Sequence, residues 1–155
     1  MTNLFAYGVL MHPEILGALT KHPSPATPAS LRGYRRVGVE LSGWLPLASV
    51  LPDRGSQVEG VLIRGLDAEA MRLLDAFENV GHGLYHRVDA TVDTPGGGSA
   101  AAQVYLPGPA LEGAAVTEWD YGLFMRRSFR DYRDRIVHGF LRRYRRARHP
   151  ERGIW

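Results

Sequence analysis

Residues 67–94 read DAEAMRLLDAFENVGHGLYHRVDATVDT, and the fold turns on how that stretch divides. Asp67 has the side chain to cap a helix N-terminus, and Ala70, Leu73, Leu74 and Phe77 recur at helical spacing with Met71 at the flank. The spacing predicts a helix running to about Glu78 and ended by Gly81 and Gly83. From Leu84 to Asp93 the period changes to two. His86, Val88, Ala90 and Val92 face one way, and Tyr85, Arg87, Asp89 and Thr91 the other. Pro95-Gly96-Gly97-Gly98 supplies a turn and Ala100 to Leu106 a returning strand, which together predict a hairpin.

Upstream, Asn3 to Tyr7 is a short apolar strand ended by Gly8, and Pro13, Ile15, Leu16 and Leu19 have the spacing of a short helix. His22 to Ser30 carries Pro23, Pro25 and Pro28 and is expected to be an irregular loop. Tyr34 to Leu41 reads as a strand, Trp44 to Leu51 as an irregular extended stretch around Pro46, and Gln57 to Ile63 as a further strand. Downstream of Glu118, Phe129, Tyr132, Ile136, Phe140 and Tyr144 recur every three or four residues, with Val137 and Leu141 beside them. Arginines fill the remaining faces of this amphipathic helix. The alternation of strands and helices argues for an α+β fold on a mixed sheet. Residues 1–117 form the domain, and residues 118–155 form a basic amphipathic helix docked on it.

A chain of 155 residues accommodates one domain with a core of its own. It has no cysteine, which excludes disulfides, thiolate nucleophiles and sulfur-ligated metals. No apolar run approaches the ~18 residues of a membrane span, and no basic region precedes the apolar stretch at the N-terminus, so the cytoplasm is the expected compartment. Charge is unevenly placed: residues 1–118 hold 8 basic and 12 acidic side chains, and residues 119–155 hold 11 and 4. The tail arginines, among them Arg126, Arg127, Arg130, Arg142 and Arg145, have the charge to contact nucleic acid or anionic lipid. The apolar stripe argues instead for a docked or homo-oligomer-forming helix with a solvated face. No recognised nucleic-acid motif accompanies the charge.

Three segments carry groups that could do chemistry. Gly8, in Tyr7-Gly8-Val9-Leu10, lets backbone approach a ligand, and successive N–H groups in such a turn can hold an anion; a plain strand-end turn reads the same way. Glu78 leaves the edge of the apolar stripe in the last helical turn, where partial burial and the helix dipole both raise its pKa. A solvated helical glutamate is the alternative. Tyr85 and Arg87 share a strand face near the end of that helix and could line a pocket, or simply face solvent. His82 and His86 do not share a helical face, and no HExxH, phosphate loop or nucleophile elbow is present, so neither a metal nor a cofactor is expected.

In order and spacing, these segments resemble one family. Leu4 to Leu10 is similar to the N-terminal strand and YGTL-type motif of the gamma-glutamylcyclotransferase-like family, and Val58-Glu59-Gly60-Val61-Leu62 to its central V-x-G strand. Leu74-Asp75-Ala76-Phe77-Glu78 followed by Tyr85-His86-Arg87 resembles its L-D-x-F/Y-E … Y-x-R signature, and the tail looks like that of bacterial members. The resemblance implies a mixed sheet curled into a small barrel around a cavity. It implies a cofactor-independent reaction in which the α-amine of a gamma-glutamyl group attacks its own γ-carbonyl, releasing 5-oxoproline and an amine or peptide. It also implies Glu78 as proton acceptor and Tyr7 to Leu10 as the binding loop. Glutathione, a gamma-glutamyl amino acid, a gamma-glutamylamine and a pathway intermediate all remain open as substrate. The family pattern has Thr or Ser where this chain has Val9, so a hydroxyl contact is missing there while backbone contacts persist. A non-catalytic binder of amino-acid-like ligands on the same fold therefore stands as the alternative.

Overall fold

The structure is a computed structural model and describes residues 1–21, 24–41 and 46–155. In chain order the elements are β1 (Thr2–Ala6), α1 (Pro13–Thr20), β2 (Ala26–Glu40), β3 (Leu47–Leu66), α2 (Ala68–Phe77), β4 (Tyr85–Thr94), β5 (Gly98–Pro107) and β6 (Ala115–Thr117). They are followed by α3 (Tyr121–Arg127), α4 (Phe129–Asp131), a π-helical segment (Tyr132–Val137) and α5 (His138–Arg146). The strands lie in the order β3-β1-β5-β4-β2-β6, and β2 pairs back onto β3. Five strands thus close into a barrel, with β6 attached to β2 outside the ring. The sheet is mixed because β1 and β5 are parallel while the other pairs are antiparallel. The fold is α+β.

Strand alternation sorts the apolar residues into two cores. Phe5, Leu31, Val50, Val58, Leu62, Val92 and Val104 come from all five barrel strands and fill its interior. Leu4, Ile63 and Tyr85 face outward and join Ile15 and Leu19 of α1, Leu74 and Phe77 of α2, and Phe124, Val137 and Phe140 of the C-terminal helices. The C-terminal helices therefore share the core that fixes α2 against the barrel. Gly60 lets β1 lie close: a methyl group there would come within 2.8 Å of the Phe5 ring. No helix among the described residues is long and apolar enough to cross a membrane.

Several sequence expectations are corrected. The expected loop from His22 to Ser30 is strand from Ala26 onward, and residues 22–23 lie outside the described residues. Proline is tolerated there because of its phase. Arg64 N–H donates to the Pro25 carbonyl (2.9 Å), which turns the Pro28 nitrogen away from β3 to a side where β2 meets β4 only at Ser30 and Asp93. The stretch expected to be irregular from Trp44 to Leu51 is, from Leu47 on, the start of the 20-residue strand β3; Trp44 and Leu45 lie outside the described residues. In α2, Met71 is buried and Ala70 only partly so. Asn79, not a glycine, turns the chain out of α2 in the left-handed region (φ 53°), a conformation its short polar side chain tolerates. The C-terminal helix is interrupted at Ser128, between α3 and α4, and contains a π turn further on. Its π turn carries an extra residue and shifts the buried stripe from Ile136 to Val137, so that Tyr132, Val137, Gly139, Phe140 and Leu141 are the buried positions.

Candidate active site

A cavity of about 270 Å³ lies where the end of β1 meets the end of α2. One wall is the Tyr7 to Leu10 loop. The Tyr7 hydroxyl donates to the Tyr105 carbonyl (2.6 Å), which ties the end of β1 to β5. Gly8 is required for close approach rather than for an unusual φ: a Cβ there would lie 2.8 Å from that of Ala48. A short 3-10 turn over Val9–Met11 follows, closed by Met11 N–H donating to the Gly8 carbonyl (3.0 Å). No backbone carbonyl among the described residues accepts from the N–H groups of Gly8, Val9 or Leu10. This leaves three donors beside the cavity.

The opposite wall is the end of α2. The Asp67 carboxylate accepts from Ala70 N–H (2.8 Å) and starts the helix; Glu78 closes it, its N–H donating to the Leu74 carbonyl (2.8 Å). The Glu78 carboxyl lines the cavity and has no hydrogen-bond or ion-pair partner among the described residues. Burial, and secondarily the nearby Asp75 carboxylate, push it up to about 8. Tyr7, Tyr85, Tyr105 and Tyr132 surround it, and burial pushes all four phenols upward, so they stay protonated.

The structure brings Tyr7, Gly8, Val9, Leu10, Glu78 and Tyr85 to this one cavity. The Tyr85 hydroxyl donates to the Ala48 carbonyl (2.7 Å), pinning β3 beside the Gly8 loop. Arg87 is not brought there. Its guanidinium donates through Nε and Nη2 to the two oxygens of Asp75, 2.9 Å each, and contacts Gln103. Although it shares a strand face with Tyr85, it lies two residues further along β4 and meets α2 instead. Asp75 also accepts from the Tyr105 hydroxyl (2.7 Å), so Arg87, Tyr105 and Asp75 together fix the turn of helix that presents Glu78.

Sequence reasoning missed Tyr105, Tyr132, Ile136 and Trp155, which also line the cavity. Tyr105 was discoverable, since it stands opposite Arg87 across the hairpin. Tyr132 and Ile136 read as core in the helical pattern and reach the cavity through the π turn. Nothing in the local sequence marks Trp155. His82 lines the cavity and His86 is exposed, and no group of three His, Asp or Glu side chains among the described residues could hold a metal ion.

The family model described as gamma-glutamyl cyclotransferase, AIG2-like, matches residues 4–123. AIG2-like protein C of Arabidopsis thaliana is 32% identical over 78 residues, which are 50% of this chain and 44% of that protein, so the match spans under half of that relative. A solution structure from Arabidopsis thaliana superposes with a TM-score of 0.60 at 22% identity, covering 86% of each chain. A structure titled gamma-glutamyl cyclotransferase superposes with a TM-score of 0.59 at 20% identity, covering 72% of this chain and 73% of that one. At these identities the superpositions establish the fold alone. The family match takes in the opening strand, the Glu78 turn and the hairpin together, and by it the chain belongs to the gamma-glutamyl cyclotransferase, AIG2-like family.

Proposed function

We propose that this chain cyclises a gamma-glutamyl compound to 5-oxoproline with release of an amine, and that Glu78 is the general base. The observation that carries the proposal is a partly buried carboxyl sharing one cavity with the N–H groups of the Gly8 loop, both without a hydrogen-bond partner among the described residues. The α-amine nitrogen attacks the γ-carbonyl carbon, forming the ring C–N bond and an oxyanion. Glu78 takes the proton released by the amine. That proton passes to the departing nitrogen as the second C–N bond breaks, so the enzyme returns to its starting state.

Each part answers to a physical requirement. Ring closure is intramolecular, and a cavity that folds the substrate supplies several kcal/mol through orientation. An ordinary glutamate lies ~4 units below an α-amine of pKa ~8, or about 5 kcal/mol uphill for proton transfer. A Glu78 pKa of about 8 removes most of that gap. N–H groups of Gly8 to Leu10 are the donors available to the oxyanion. Arg87 acts through Asp75 as a positioning residue.

Val9 favours one alternative, a binder of gamma-glutamyl ligands without turnover, because it offers no hydroxyl to the ligand. Assaying a panel of gamma-glutamyl compounds for 5-oxoproline separates the two. Glu78→Gln is expected to lower kcat by about 10²–10⁴-fold with ligand affinity retained. Affinity without 5-oxoproline from any compound leaves the binder.

A further inference from the structure

Part of the cavity wall comes from beyond residue 123, where the family match ends: Tyr132, Ile136 and Trp155. Trp155 is fixed on several sides. Its indole Nε1–H donates to the Phe77 carbonyl (2.9 Å), one residue before Glu78. Its ring stacks on Phe140 with centroids 5.4 Å apart, and the Arg143 guanidinium lies over it, 5.1 Å from its centre. The segment leading to it is seated by glycines. A methyl group on Gly81 would come 2.5 Å from the Glu151 carbonyl, and Gly153 (φ +109°) packs against the His82 ring, where a side chain has no room. The tail is therefore docked against the turn that follows Glu78, and the indole forms a finished wall.

Charge defines what this wall can receive. Glu78 is the one Asp or Glu lining the cavity among the described residues, and no lysine or arginine lines it. Residues 22–23 (His-Pro) and 42–45 (Ser-Gly-Trp-Leu), outside the described residues, include no aspartate, glutamate, lysine or arginine. A released group bearing its own carboxylate, as an amino acid or a dipeptide does, brings an anion into largely apolar surroundings beside Glu78, where no lysine or arginine among the described residues meets it and the His82 imidazole is the one basic side chain. An uncharged hydrocarbon amine loses no such solvation and gains contact area on the indole.

We propose that Trp155, together with Ile136, forms a subsite for the departing group and selects gamma-glutamyl derivatives of uncharged apolar amines over those of amino acids. The selection rests on gamma-glutamyl compounds being the ligands, as argued above, but not on their turnover. Two measurements keep the two ideas apart: kcat/KM for gamma-glutamylbenzylamine and gamma-glutamylglycine, and calorimetric affinity of the Glu78→Gln variant for both. The wild type is expected to favour the benzylamine derivative by about tenfold or more. Trp155→Ala should erase most of that preference by lowering kcat/KM for the benzylamine derivative far more than for the glycine derivative, Trp155→Phe should keep it, and Ile136→Ala should reduce it in part.

Equal use of the two compounds, a preference for the glycine derivative, or a Trp155→Ala effect equal on both overturns the subsite and leaves cyclisation standing. Selective binding by Glu78→Gln without turnover by the wild type upholds the subsite and overturns cyclisation. Binding of neither compound overturns both. Ile136→Ala leaves the tail's own anchors in place, so it reads the subsite even where Trp155→Ala unfolds the segment.

Discussion

Asp75 and Glu78 lie three residues apart at the end of α2, and their carboxylates have opposite surroundings. Asp75 is saturated by Arg87 (2.9 Å) and Tyr105 (2.7 Å), whereas Glu78 faces the cavity without a donor among the described residues. One carboxylate is committed to Arg87 and Tyr105 and spends its charge on architecture. The other is left costly to ionise, and its neighbour's charge raises that cost.

The first prediction concerns rate against pH. With Glu78 at about 8 in the free protein, kcat/KM for gamma-glutamyl turnover is expected to rise roughly tenfold per pH unit below 8 and level off above it. A profile already flat at pH 6 contradicts Glu78 as the base.

Stability should run the other way. The folded-state value is raised from 4.5 to about 8, so between those limits the native protein holds a proton that the unfolded chain has released. Native stability from this group is complete below pH 4.5 and is lost as pH climbs through 8. Glu78→Gln removes the effect. Relative to wild type its melting temperature should be higher at pH 9, by an amount on the order of a few kcal/mol in stability, and nearly equal at pH 4.5.

Asp75→Asn tests the link between the two carboxylates. It removes the negative charge beside Glu78 and frees the Arg87 cation, and both changes lower the Glu78 pKa. The rising limb of the rate profile should move to lower pH, while loss of the half-exposed ion pair lowers stability by about 1–2 kcal/mol. A limb that stays in place argues that burial alone sets Glu78.

Gly60→Ala probes the close approach of β1 and β3. The added methyl meets the Phe5 ring and the Ala6 backbone, both directly ahead of the Gly8 loop. A cost of about 1–3 kcal/mol is expected, seen as a lower denaturant midpoint with the slope unchanged. A neutral result means β1 can shift freely.

Val9→Thr restores a hydroxyl at the half-buried edge of the cavity. The side chains match in shape, so the melting temperature should change little, and KM for a gamma-glutamyl compound should fall severalfold if that position faces the ligand. An unchanged KM assigns ligand contact to the backbone alone.

The helix α2 and the hairpin were legible because their periods are local: apolar spacing and the Asp67 cap mark one, strict alternation and a glycine turn the other. The long strands β2 and β3 were legible only in part: Tyr34 to Leu41 and Gln57 to Ile63 read as strand, and the stretches leading into them did not. Their prolines and polar residues look like loop until pairing assigns Pro28 an unpaired side, which only the partner strand determines. Among cavity residues, Glu78 and the Gly8 loop carried local signals, whereas Tyr132 and Ile136 depend on one extra residue in a helical turn. Arg87 shows the reverse case. Strand phase gave its face correctly, but only the position of Asp75 determines what that face touches.

The barrel is joined unequally around its circumference. β4 and β5 match over ten residue pairs, but β4 meets β2 at the single pair of Ser30 and Asp93, supported by an exposed ion pair from Arg32 to Asp93 (2.7 Å). The ring is thus a horseshoe with a clasp. Amide protons flanking the clasp should exchange with heavy water ahead of those elsewhere in the sheet. Opening it leaves the ribbon β1-β5-β4 intact, so Gly8 and Tyr85 keep their spacing even in the partly unzipped molecule.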